Sequence, residues 1–157
     1  MDKKSKIFIG MDPSFTSFGI VCLDSDGNIE REEVLKTDSK KSVVSRLLDL
    51  ENKISDILEK YQDVVVYLEG PSYYSSGKFS LQMGALHYVL RMFFVKKKIE
   101  HYVISPSTLK KYVTGKGNCK KDLIILNVYK KWGVEFSDHN LADAYGLARM
   151  ALEEQGG

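Results

Sequence analysis

A chain of 157 residues with 43% hydrophobic and 28% charged residues suits one globular domain with a sizeable core. No apolar stretch nears the roughly 20 residues of a membrane span. Cys22 and Cys119 stand far apart with no CxxC or His-rich spacing, which argues for a reduced, cytosolic protein without structural zinc, and the net charge of +2 excludes little by itself.

Met1-Asp2-Lys3-Lys4-Ser5 runs straight into an apolar segment, so no signal peptide is expected. Residues 6–12 read as the first strand and 15–24 as the second, by apolar alternation. Asp24-Ser25-Asp26-Gly27-Asn28 has Asp-Gly hairpin chemistry and leads into a third strand over 29–36. Residues 43–61 carry Val44, Leu47, Leu48, Ile54, Ile57 and Leu58 at helical spacing. A fourth strand over 64–69, a loop over 70–78, a helix over 79–97 and a fifth strand over 100–104 follow. Ser105-Pro106-Ser107 caps a short helix through Tyr112, a flexible loop spans 114–118, and helices cover 120–132 and 140–154. Three meandering strands followed by strands with crossover helices give an α/β ribonuclease H-like fold: a mixed five-stranded sheet with helices on both faces, one domain over 1–157.

Three acids stand out against this plan. Asp12 ends the first strand before Pro13-Ser14, Glu69 ends the fourth before Gly70-Pro71, and Asp143 opens a helix of small residues. An unpaired carboxylate at a buried rim is costly, so packing alone gives no reason to place one there. Three converging carboxylates form a site for hard divalent cations such as Mg²⁺; salt-bridging acids at strand ends are the bland reading. Between 105 and 131 stand Lys110, Lys111, Lys116, Lys120, Lys121, Lys130 and Lys131 against one acid, Asp122, and Lys96-Lys97-Lys98 forms a second cluster. A basic surface beside a carboxylate cluster suits a polyanion held next to metal, while solvated helix faces explain the charge equally well.

Ile9-Gly10-Met11-Asp12-Pro13-Ser14, Tyr67-Leu68-Glu69-Gly70-Pro71 and Asn140-Leu141-Ala142-Asp143-Ala144-Tyr145-Gly146, in this order, resemble the three acidic motifs of the RuvC family of Holliday-junction resolvases, and look most like its phage-encoded branch. The resemblance covers nearly the whole chain. It implies a DNA endonuclease that cuts Holliday junctions and other branched DNA using two Mg²⁺ ions per site, with Mn²⁺ an accepted substitute. Asp12 would bridge both ions, Glu69 would hold one and Asp143 the other. Lys110 and Lys121 match the family's paired lysines around a Gly-x-Gly turn, here Gly115-Lys116-Gly117. Lys110 would contact the DNA backbone, with Lys111 and Lys120 beside it, and Lys121 or Lys116 would neutralise charge on the phosphate. Tyr73 or Tyr74 would stack at the branch point. The helix over 79–97 carries more apolar surface than one sheet face needs (Leu81, Met83, Leu86, Tyr88, Leu90, Met92, Phe93, Phe94), and by resemblance it builds a homodimer with two opposed sites. The host cytoplasm is the expected compartment if the chain is phage-encoded.

The sequence departs from the family at Asn140, where a fourth acid or His ligand is usual. Asn140 has two readings: a neutral ligand assisted by His139 or Asp138, or an Asp→Asn change that disables the enzyme. Asp138 also reads as a helix N-cap. His87 reads as structural and His101 as a surface residue. Three further functions compete: a ribonuclease H or rRNA-processing nuclease of the same fold, a disabled branched-DNA-binding protein, and an actin-like ATP-binding kinase, whose phosphate loop Gly10–Gly19 resembles. The kinases need two such domains. No GK[ST] follows Gly115-Lys116-Gly117, so no nucleotide cofactor is expected.

Overall fold

The computed structural model describes residues 5–72 and 77–157. Five strands form one sheet: β1 (Ile7–Asp12), β2 (Phe18–Leu23), β3 (Ile29–Leu35), β4 (Val64–Glu69) and β5 (Glu100–Ile104), in the order β3-β2-β1-β4-β5. β1 pairs antiparallel with β2 and parallel with β4, β2 pairs antiparallel with β3, and β4 pairs parallel with β5. Helices α1 (Val43–Leu58) and α2 (Gly77–Lys96) cover one face, and α3 (Pro106–Thr114), α4 (Lys121–Trp132) and α5 (His139–Gln155) cover the other.

Strand periodicity decides which side chain meets which layer. Ile7, Ile9 and Met11 of β1, with Phe18, Ile20 and Cys22 of β2 and Val66 and Leu68 of β4, pack against Leu50 and Ile54 of α1 and Leu90 and Phe94 of α2. Phe8, Val21, Leu23, Val65 and Tyr67 point the other way, onto Leu109, Val113, Ile124, Val128 and the small residues of α5. Because β1 and β2 are covered on both faces, all of β2 is buried, which explains why its alternation is muted in the sequence.

α5 lies directly on β1, and Gly10 is the reason. A Cβ at Gly10 would sit 1.8 Å from the Ala144 carbonyl oxygen and 2.6 Å from the Ala148 nitrogen. At Gly19 of β2 it would sit 2.4 Å from the Asn140 carbonyl oxygen. The run of alanines in α5 and these two glycines are two halves of one close helix-on-sheet contact.

Several boundaries differ from the sequence reading for local reasons. β2 starts at Phe18, not 15, because Ser14 Oγ accepts from the Thr16 and Ser17 backbone N–H groups (3.2 and 3.3 Å) and turns the chain first. α1 ends at Leu58, where the bonds tighten to Lys60 N→Ile57 O and Tyr61 N→Leu58 O. α3 continues to Thr114 and stops at Gly115, whose φ of 84° is left-handed and whose N–H bonds to the Lys111 carbonyl. α2 begins at Gly77, two residues before the expected start. His101 is not a surface residue: its ring is half-buried against Phe94 (centroids 5.1 Å apart) and Nδ1 lies 2.9 Å from the Ile99 carbonyl. His87 is buried in α2, and burial with nearby Arg91 lowers its pKa to about 4, which fits a structural, neutral imidazole.

Candidate active site

The face that carries α5 also carries the acids. Along β1, Phe8, Gly10 and Asp12 share that face; along β4, Val65, Tyr67 and Glu69 do. Met11 pairs with Leu68, so Asp12 and Glu69 stand one step further on at the same end of adjacent parallel strands. The Gly10–Ala144 contact brings the first turn of α5 over that end and sets Asp143 beside them. One carboxylate oxygen from each of Asp12, Glu69 and Asp143 lies within 4.8 Å of the other two.

The electrostatics are those of anions forced together. Desolvation, then repulsion from Glu69 and Asp143, raises the Asp12 pKa well above the carboxylate range. Desolvation raises Glu69, and desolvation with Glu69 repulsion pushes Asp143 up to about 7. The contact between the Asp12 and Glu69 side chains raises the Asp12 pKa further and lowers that of Glu69. Glu69 Oε2 is buried with no hydrogen-bond partner among the described residues. A buried carboxylate oxygen with no protein donor, inside an all-oxygen acidic cluster, fits the donor set of a hard divalent cation.

Two lysines answer this charge. Lys121, the first residue of α4, lowers the pKa of all three acids, and Lys110 of α3 lowers those of Glu69 and Asp143. Lys111, Lys116 and Lys120 are exposed on the same α3–α4 segment, with Lys116 N held by Thr114 Oγ1 at 3.1 Å. Lys96–Lys98 precede β5 and so lie at the opposite end of the sheet from the acids.

Asp138 is the N-cap of α5, accepting from Asn140 N (2.8 Å) and Leu141 N (3.1 Å). Asn140 packs its backbone on Gly19, the register partner of Asp12, and so borders the cluster. His139 departs from the expectation of a ligand. It is not in the carboxylate cluster, and its Nε2 lies 3.5 Å from Asp122 Oδ1 on α4, because the first turn of α5 directs it toward its neighbouring helix. Tyr73 and Tyr74 lie outside the described residues. Sequence reasoning missed Gly10 and Gly19 as determinants of the site; the signal was two glycines inside apolar strands opposite a helix of alanines.

A mixed sheet of this order, with carboxylates at the ends of β1 and β4 and in the second turn of α5, has the arrangement of a metal-dependent nuclease of the ribonuclease H-like class. A family model for the crossover junction endodeoxyribonuclease RuvC matches residues 8–150, and the chain belongs to this family of Holliday-junction resolvases. It is a DNA endonuclease of the junction-resolving type. Among curated relatives, RuvC of Ehrlichia canis is 27% identical over 143 residues, covering 89% of this chain and 92% of the relative. RuvC of Neorickettsia sennetsu is 28% identical over 155 residues, covering 94% and 91%. Among solved structures, Thermus thermophilus RuvC in complex with Holliday junction substrate superposes with a TM-score of 0.80 at 19% identity, covering 96% of each chain. At that identity the likeness speaks to the fold.

Proposed function

We propose that this chain cuts four-way and other branched DNA by metal-assisted phosphodiester hydrolysis in the Asp12–Glu69–Asp143 cluster. The observation that carries the reading is the convergence of these three carboxylates, with Glu69 Oε2 left without a hydrogen-bond partner among the described residues. Asp12 would serve both ions, with Glu69 holding one and Asp143 the other, as the family resemblance implies. Asn140 supplies a neutral amide oxygen as the fourth ligand. Bound Mg²⁺, or Mn²⁺ in its place, would supply water activation and neutralisation of the leaving oxygen.

The remaining work falls to the chain's own residues. Asp12, Glu69 and Asp143 would hold the cation as ionised carboxylates, so cation binding competes with protonation of these raised-pKa groups. Lys121 offsets negative charge beside the acids and is placed to face the reacting phosphate. Lys110, Lys111, Lys116 and Lys120 hold the DNA backbone, and Tyr73 or Tyr74 stacks at the branch point. α2 leaves Leu81, Tyr88, Met92 and Val95 exposed on a single helical stripe, opposite buried Leu86 and Leu90. This stripe is the surface on which two copies pair, giving two sites for opposed cuts. The resemblance of its motifs, with the departure at Asn140, supports assignment to a phage-type branch acting in the host cytoplasm.

One observation favours a second reading: the family's usual fourth acid is an amide here. The test is Mg²⁺-dependent cleavage of a labelled four-way junction, a three-way fork, a linear duplex and an RNA–DNA hybrid, comparing the chain with Asn140→Asp and Asp143→Asn. The proposal expects cuts in branched DNA by the unaltered chain, lost in Asp143→Asn. Cleavage by Asn140→Asp alone would identify a disabled, junction-binding form. Cleavage of the hybrid alone would overturn the junction reading in favour of a ribonuclease.

A further inference from the structure

Away from α3 and α4, the basic side chains that form ion pairs among the described residues are Lys6 with Glu100 (3.5 Å), Arg31 with Glu33 (2.9 Å) and Lys53 with Asp49 (3.1 Å). The connection from β3 to α1, residues 36–42, is different. Lys36, Lys40 and Lys41 are exposed, and among the described residues none of them forms an ion pair. The one acid in this segment, Asp38, is engaged locally: its Oδ1 accepts from Lys40 N (2.9 Å) and its carbonyl from Lys41 N (3.1 Å). Three unpaired lysines in seven residues make a positive patch.

Topology puts this patch at the active end of the sheet. β3 is antiparallel to β2, and β2 to β1, so the C-terminal end of β3 lies at the same end as Asp12. β3 is two strands from β1, roughly 10 Å at the usual strand spacing. The segment is also fastened to the chain that leaves Asp12. Thr37 Oγ1 donates to the Phe15 carbonyl (2.5 Å), and Arg46 donates to Thr37 Oγ1 (2.8 Å) and to the same carbonyl (3.3 Å). The Arg46 guanidinium lies 5.0 Å from the centre of the Phe15 ring. α1 begins here behind the Ser42 cap with no acid in its first turn, so its positive end adds to the patch. Lys110 and Lys121 stand on the other flank, on α3 and α4. Both basic groups thus lie at the carboxylate end of the sheet, Lys110 and Lys121 on the face of α3–α5 and residues 36–42 where the chain passes to the face of α1 and α2.

We propose that residues 36–42 form a second DNA-backbone contact, in which Lys36, Lys40 and Lys41 hold phosphates on the side of the cut opposite to α3 and α4. The inference rests on the DNA-cleaving reading above and extends it. Backbone contacts fix where a duplex lies, and a grip on both sides of the carboxylates holds the intervening phosphate at the site.

The test is the salt dependence of binding to a labelled four-way junction in metal-free buffer. It compares the unaltered chain with Lys40→Ala/Lys41→Ala, with Lys110→Ala, and with Lys97→Ala/Lys98→Ala at the far end of the sheet. Each lost phosphate contact lowers the slope of log K against log salt by about one, so the Lys40/Lys41 variant is expected to lose about two. Its thermal melting should match the unaltered chain, and the Lys97/Lys98 variant should keep the full slope. An unchanged slope in Lys40→Ala/Lys41→Ala, with a reduced one in Lys110→Ala, would overturn the second contact and leave the nuclease reading standing. An equal loss in the Lys97/Lys98 variant would reduce the effect to net charge and overturn it as well. Failure of the unaltered chain to bind the junction would overturn both readings together.

Discussion

Burial raises the proton affinity of Asp12, Glu69 and Asp143, and repulsion from Glu69 adds to the rise at Asp12 and Asp143, which has a measurable consequence in the metal-free protein. Asp143 titrates near 7 in the fold against an ordinary value of 3.8. Between those values the folded chain binds more protons than the unfolded one, so stability falls as pH rises through that window. Removing the ionisable group removes the penalty. Metal-free Asp143→Asn should therefore melt above the unaltered chain at pH 8, with the gap closing toward pH 4. A gap independent of pH would show that Asp143 is not strained by its neighbours. Adding Mg²⁺ should raise the melting point of the unaltered chain more at pH 8 than at pH 5, since protons compete with the ion, and should do little for Asp143→Asn. These acids were legible in the sequence because each follows or opens an element whose apolar pattern is plain, which leaves a carboxylate at a rim. His139 was placed at the site by its four-residue helical spacing to Asp143, which gives a shared stripe; the position of its Nε2 3.5 Å from Asp122 Oδ1 on α4 comes only from the fold.

At the scale of elements, the site depends on how closely α5 approaches β1. A methyl group at Gly10 would meet the Ala144 carbonyl at 1.8 Å, and backbone cannot rotate away as a side chain can. Gly10→Ala should cost about 3 kcal/mol or more, the upper range for overpacking, and any folded remainder should bind Mg²⁺ weakly because Asp143 is displaced. Chemical denaturation and calorimetric Mg²⁺ titration would check this; a loss below about 0.5 kcal/mol, the scale of ordinary surface changes, would mean α5 has room to move. Strands β4 and β5 were readable to the residue, being short runs of β-branched and aromatic residues bounded by turns. The start of β2 was not, because Ser14 turns the chain with hydroxyl bonds that carry no periodic signal. The closeness of α5 to the sheet was visible only as alanines and glycines without a stated partner.

At the scale of the molecule, α2 has two apolar sides, and the fold uses one. Tyr88 and Met92 are 65% and 56% exposed on the outer stripe, in a helix whose inner side carries Leu90 and Phe94. If two copies pair there, Tyr88→Lys/Met92→Lys should convert a dimer to a monomer in sedimentation experiments and leave the melting curve of the fold near its original position. A monomer before mutation, or a dimer after it, would place the contact elsewhere. Excess apolar surface on this helix was legible in the sequence; its division between core and exterior was not, since both stripes look equally hydrophobic until the sheet takes one.

The central claim is that Asp12 and Glu69 act on the phosphodiester bond through a bound cation and do not merely hold the strands. Single-turnover cleavage of a preformed four-way junction complex, started by Mg²⁺, tests it most directly when Asp12→Asn and Glu69→Gln are run beside the unaltered chain. Both variants should bind the junction within about twofold of the original and cut it more than about a thousandfold more slowly, the scale expected when a group acting in the transition state is removed. Cutting at the original rate, or loss of junction binding together with cleavage, would contradict the assignment of these carboxylates to the chemistry.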